Sequence, residues 1–60
     1  MEILEMCKEK GYVEQKYKGI LEIYPGRFIN EMTLNKLLLD LQNSGYELVK
    51  IFNVIRAFES

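Results

Sequence analysis

Sixty residues, with eight basic and nine acidic side chains and a formal net charge of -1, make one domain spanning 1–60 and exclude both a polycationic nucleic-acid arm and an anionic DNA mimic. The absence of histidine and the single cysteine, Cys7, exclude an intrachain disulfide, a tetrahedral zinc site and any His-dependent catalytic dyad. A chain of this size buries only about 60% of its unfolded surface, so with disulfide and metal gone, self-association or a partner is the remaining support for its core.

Residues 2–10 read as a short helix, with Ile3, Leu4 and Cys7 on one side and Glu2 and Glu5 near its start, where the helix dipole favours acids. Gly11 supplies the left-handed residue that ends it. At under three turns the helix persists only by docking. Cys7, on the apolar side, reads as a small buried hydrophobe in preference to a redox thiol.

Residues 12–24 switch to a period of two, with Val13, Tyr17, Leu21 and Ile23 on one face and Glu14, Lys16, Lys18 and Glu22 on the other. This is a half-buried strand that either folds into a hairpin at Lys18-Gly19 or bends at a bulge there. Tyr24-Pro25-Gly26-Arg27 fits a type II turn, with Pro at its second position and Gly at its third. Residues 27–29 then lead, extended, into a helix capped by Asn30 or Thr33.

Residues 33–44 form the main helix, with Leu34, Leu37, Leu38 and Leu41 on one face and Gly45 just past its end. Residues 46–58 contain no turn residue apart from Asn53, and their Val, Ile and Phe content predicts a strand buried on both faces, at least over 46–52. A helix is one alternative, because Leu48, Ile51, Phe52, Ile55 and Phe58 also share one side of a helical wheel, and a hairpin within the segment is another.

Little in this pattern suggests chemistry. The glycines at 11, 19, 26 and 45 are scattered as turn punctuation and form no phosphate loop, so no cofactor is expected. The chain has one aspartate, and its glutamates lie at helix starts or on polar faces, not as an acid/base pair in an apolar setting. An enzyme is therefore not expected, and no catalytic or metal-binding residue is assigned. The longest apolar run is three residues, 37–39, which rules out a spanning helix; the N-terminus lacks a signal-peptide core, and a lone cysteine fits the cytosol.

Two surfaces remain as candidates. Met32 and Leu39 stand seven residues apart on a second apolar stripe of the main helix, about 150° around from Leu34 and Leu41, with Lys36 and Asn43 as polar neighbours. That stripe suits contact with a second copy or a larger host protein. On the first strand, Lys16 and Lys18 bracketed by Tyr12 and Tyr24 are the ingredients of a single-stranded nucleic-acid face. Glu14 and Glu22 on the same face offset its charge, so this is the second choice.

The segment TLNKLLLDLQNSGYELVK, residues 33–50, resembles small uncharacterised bacterial and phage domains in which a leucine-rich helix ends in Gly and is followed by an aromatic residue, Glu-Leu-Val and a strand. The resemblance covers about a third of the chain. It implies a helix packed on an antiparallel sheet and carries no activity. In that pattern the aromatic is commonly Trp, where this chain has Tyr46.

The resulting expectation is an α+β fold: a short N-terminal helix and a small antiparallel sheet with one main helix packed on it, the last strand pairing with the first. Its core comprises Val13, Tyr17, Leu21, Ile23, Leu34, Leu37, Leu38, Leu41, Leu48 and Phe52. Its function is that of a small cytoplasmic regulator acting by protein–protein interaction, as a homodimer or as an inhibitor of a larger protein. No membrane partner is expected.

Overall fold

The computed structural model describes residues 2–60. The chain runs α1 (Glu2–Glu9), β1 (Val13–Tyr17), β2 (Ile20–Ile23), a 3-10 turn (Pro25–Arg27), α2 (Glu31–Asn43), β3 (Tyr46–Ile51) and β4 (Val54–Glu59). Among the described residues the strands form one antiparallel sheet in the order β1-β2-β4-β3. The fold is α+β, with both helices packed on the sheet.

Register explains the single core. Val13 lies opposite Ile23, Ile23 opposite Ile55, and Leu21 opposite Ala57, so these five side chains share one face of the sheet. Leu4 and Cys7 of α1 and Leu37 and Leu41 of α2 close over them. Ile3, Tyr12, Phe28, Leu34, Leu38, Tyr46 and Leu48 pack around this cluster half-buried. Among the described residues no helix covers the opposite face of the sheet, which carries Glu22 and Arg56, paired across β2 and β4.

α1 ends as its glycine predicts. Gly11 has φ 79°, and the Tyr12 and Gly11 amides donate back to the Cys7 and Lys8 carbonyls at 2.9 and 3.1 Å, the paired bonds of a Schellman motif. At the start of α2, Asn30 is the cap: its side-chain oxygen accepts from the Met32 amide at 2.8 Å, which leaves Thr33 inside the first turn. The hairpin between β1 and β2 turns at Lys18 and Gly19, where Gly19 has φ 80°.

Four expectations are corrected. Tyr17 is not in the core but 75% exposed. A bulge between Gln15 and Tyr17 sets Tyr17 opposite Ile20, and this one-residue slip carries the ring to the face opposite the helices. Pro25-Gly26 makes a 3-10 turn, not a type II turn, because the Pro φ suits both and Gly26 is not left-handed. Residues 46–58 are a hairpin, not one strand buried on both faces; the chain reverses at Phe52 and Asn53, between paired Ile51 and Val54. Phe52 is consequently 94% exposed instead of buried. The last strand does pair within the 12–24 segment, through β2, and takes β3 on its other side.

Candidate interaction surfaces

α1 and α2 meet the sheet side by side and leave a groove of about 780 Å³ between them. Each helix supplies it through the flank next to its buried stripe. In α1, Leu4 and Cys7 go into the core and Ile3 and Met6 line the groove. In α2, Leu37 and Leu41 go into the core, while Met32, Lys36 and Asp40, spaced four apart, form the facing row. Met32 is 76% exposed. The Lys36 ammonium stands 3.9 Å from the Asp40 carboxylate, so the row presents an apolar end and a neutralised end. Glu2 adds an acid at the rim.

The four residues predicted for partner binding divide here. Met32 and Lys36 line the groove, whereas Leu39 and Asn43 do not. Leu39 remains 57% exposed on the outer surface of α2. Sequence reasoning missed Met6 and Ile3 as members of the same surface, because their flank becomes a wall only once α1 docks beside α2.

The residues predicted for a nucleic-acid face also separate. Tyr12 is half-buried against the core, its ring 4.5 Å from that of Phe28. Lys18 sits in the β1–β2 turn. Lys16 and Tyr24 do meet, but at Glu22. The Tyr24 hydroxyl contacts both Glu14, at 2.6 Å, and Glu22, at 2.9 Å, while Lys16 and Arg56 approach Glu22 at 3.8 and 3.1 Å. Glu14 and Glu22 are direct cross-strand neighbours, a pairing of like charges that destabilises a sheet unless something intervenes. The phenol intervenes.

Electrostatics follow from that geometry. The Tyr24 hydrogen bond, aided by Lys16 and Arg56, holds the Glu22 carboxyl below its ordinary pKa despite the desolvation that opposes it. The Tyr24 phenol is pushed well up, first by its bond to Glu14, then by burial and by Glu22. Its ring face is occupied as well, by the Arg27 guanidinium 4.1 Å from the centroid, and Arg27 also donates to the Gly11 carbonyl at 3.0 Å. Both the hydroxyl and a face of this tyrosine are thus already committed within the chain.

Cys7 is fully buried, and burial raises its thiol pKa against the pull of Lys10. A thiol without solvent access and with a raised pKa is a poor nucleophile. Among the described residues no group of three or more Cys, Asp or Glu side chains is placed to hold a metal ion.

One exposed region was not anticipated at all. Val49, Ile51 and Phe52 of the β3–β4 hairpin are exposed, and Ile51, Phe52 and Val54 border a shallow hollow of about 260 Å³ shared with Glu22 and Arg56. The signal available in the sequence was Asn53, the one turn-forming residue between two runs of strand formers. Compared with known proteins, the chain matches no family model, no curated protein and no solved structure.

Proposed function

We propose that this protein is a non-enzymatic regulator that acts in the cytoplasm by binding another protein, its α1–α2 groove receiving an amphipathic helix of the partner. The observation that carries this reading is the clustering of Met32, Met6 and Ile3 along one groove, with Met32 exposed where a packed helix flank would be covered. Methionine-lined grooves accept helices of varied sequence because the thioether side chain adapts its shape. The rim favours a partner with basic flanking residues, since Asp40 offsets Lys36 and, among the described residues, no cation pairs with Glu2.

The test is an affinity capture from the host with wild-type protein, Met32→Glu and Lys18→Glu, read by mass spectrometry. The reading expects a protein recovered with wild type and Lys18→Glu and lost with Met32→Glu. Recovery of the same proteins with all three baits, or of none with wild type, overturns it.

A single-stranded nucleic-acid binder has less support. Its Tyr24 is bonded to two carboxylates and its Lys16 is paired with Glu22, so binding through that face requires breaking contacts the chain already makes.

A further inference from the structure

The two edges of the sheet are finished differently. Both edges expose charged side chains, but β1 also carries a bulge, which discourages another strand from adding to it. β3 has neither bulge nor proline and pairs with β4 in unbroken register from Tyr46↔Glu59 to Ile51↔Val54.

Its free backbone groups can be identified. The Ser60 amide donates to the Gly45 carbonyl at 3.2 Å, while the Glu59 amide turns the other way, to Gly19 at 2.8 Å. Antiparallel bonds alternate residue by residue, so Glu47, Val49 and Ile51 face β4, and the peptide groups of Tyr46, Leu48 and Lys50 point away from the sheet. All three of those side chains lie on the helix-covered side, because Leu48 and Lys50 sit opposite the buried Ala57 and Ile55.

We propose that β3 is a dimerisation edge, to which β3 of a second copy of this chain adds antiparallel about a two-fold axis at Leu48, joining two four-stranded sheets into one. Side-chain chemistry selects this register. It sets half-buried Leu48 against Leu48 of the second copy and Lys50 against Tyr46 of the second copy, with Glu59 one strand further on. Lys50 and Glu59 of different copies are then about 10 Å apart at Cα, a gap the two side chains span, and the Lys50 ammonium crosses the Tyr46 ring on the way. Among the described residues neither Lys50 nor Glu59 has an ion-pair partner within its own chain. The symmetry repeats this contact on both sides of the axis and adds about six backbone hydrogen bonds.

Neighbouring registers are worse. An axis at Glu47 opposes two carboxylates, and an axis at Val49 sets Lys50 against Leu48 and Tyr46 against the turn residue Phe52. A register between residues would oppose helix-side and open-side chains, which antiparallel pairing forbids. No residue lining the α1–α2 groove belongs to β3, so the dimer leaves both grooves open.

Sedimentation velocity across about 10 µM to about 1 mM tests the proposal, a range suited to a strand-pairing interface of modest area. Wild type is expected to pass from monomer to dimer. Lys50→Glu is expected to raise the dissociation constant about ten-fold, and Lys50→Glu with Glu59→Lys to return it to within about three-fold of wild type. Lys50→Pro removes an outward amide where an edge strand tolerates proline, so it should be monomeric with an unchanged far-ultraviolet circular dichroism spectrum. If Lys50→Pro unfolds, the charge-swap series alone decides. A wild type that stays monomeric, a Lys50→Glu variant that associates normally, a double variant that fails to recover, or loss of the dimer in Met32→Glu overturns the proposal.

Discussion

The β1–β2 hairpin and the β3–β4 hairpin have similar lengths and lie next to each other in one sheet, yet they treat exposed surface in opposite ways. In the first, the turn uses a glycine, and Gln15 braces the bend by donating to the Tyr17 carbonyl and, at 3.2 Å, to that of Ile20. Its outward Glu14, Lys16 and Glu22 gather around Tyr24. In the second, the turn is made by an aromatic residue with φ 56°, and the outward side chains include Val49 and Ile51. Tyr17 aside, paired charge is concentrated at β1–β2 and exposed apolar surface at β3–β4 among the described residues. In a domain small enough to be marginal, such an asymmetry separates the part that secures the fold from the part available for contact.

The seam between the hairpins should carry the largest effect. Leu21 of β2 is fully buried opposite Ala57 of β4, so its truncation opens a cavity between both hairpins and α2. Leu21→Ala is expected to cost about 3 kcal/mol, measured by urea denaturation. A cost below about 1 kcal/mol would mean the hairpins are not joined through a packed seam.

The Tyr24 network supplies the next effect and is specific to the first hairpin. Tyr24→Phe keeps the ring under Arg27 but leaves Glu14 facing Glu22 without the bridging hydroxyl, at an expected cost of about 1 kcal/mol. Its pH signature separates it from a simple packing loss. A carboxylate whose folded pKa lies below its unfolded value stabilises the fold above the unfolded value, and this contribution is lost as pH falls through the folded one. Glu22 is such a group, so wild-type stability should decline below about pH 4. Because the Tyr24 bond is the largest cause of that depression, Tyr24→Phe should flatten the decline. Identical acid limbs for the two proteins would show that the phenol does not tune Glu22.

This contrast also marks where the sequence was legible. Both helices and the β1–β2 segment follow from hydrophobic period and glycine placement, signals that are local and redundant: Leu37, Leu41 and Gly45 each point to the same helix. Tyr17 and Phe52 were misplaced because one residue changed the outcome. A bulge leaves no compositional mark in Gln15-Lys16-Tyr17, and a turn at Phe52 contradicts the preference of phenylalanine for extended backbone. The groove was half visible. Met32 stood out on a stripe that a packed helix does not require, but Met6 could join it only through the docking of α1, and a helical period cannot encode which flank a neighbour approaches. The Tyr24 network was hidden for a similar reason, since alternation places Glu14 and Glu22 on one face without showing that they are opposed or that a phenol reaches both.

Phe52 offers the smallest effect and the sharpest use of the comparison. A left-handed backbone is unfavourable for a bulky L-residue, and a ring that is almost wholly exposed recovers nothing from packing within the chain. Phe52→Gly should therefore stabilise the isolated monomer, by about 0.5–1 kcal/mol after allowing for the greater freedom glycine has when unfolded. The corresponding change in the first hairpin has the opposite sign: Gly19→Phe forces a side chain onto a residue with φ 80° and toward Glu59, so it should destabilise. Thermal unfolding of the two variants at low protein concentration checks both signs together. Stabilisation on removing Phe52 would mean that its strain persists without structural benefit to the monomer, the condition under which an exposed aromatic at a hairpin tip is explained by what it contacts in another molecule. Destabilisation would place the ring among the fold's own supports and leave the second hairpin no more outward-directed than the first.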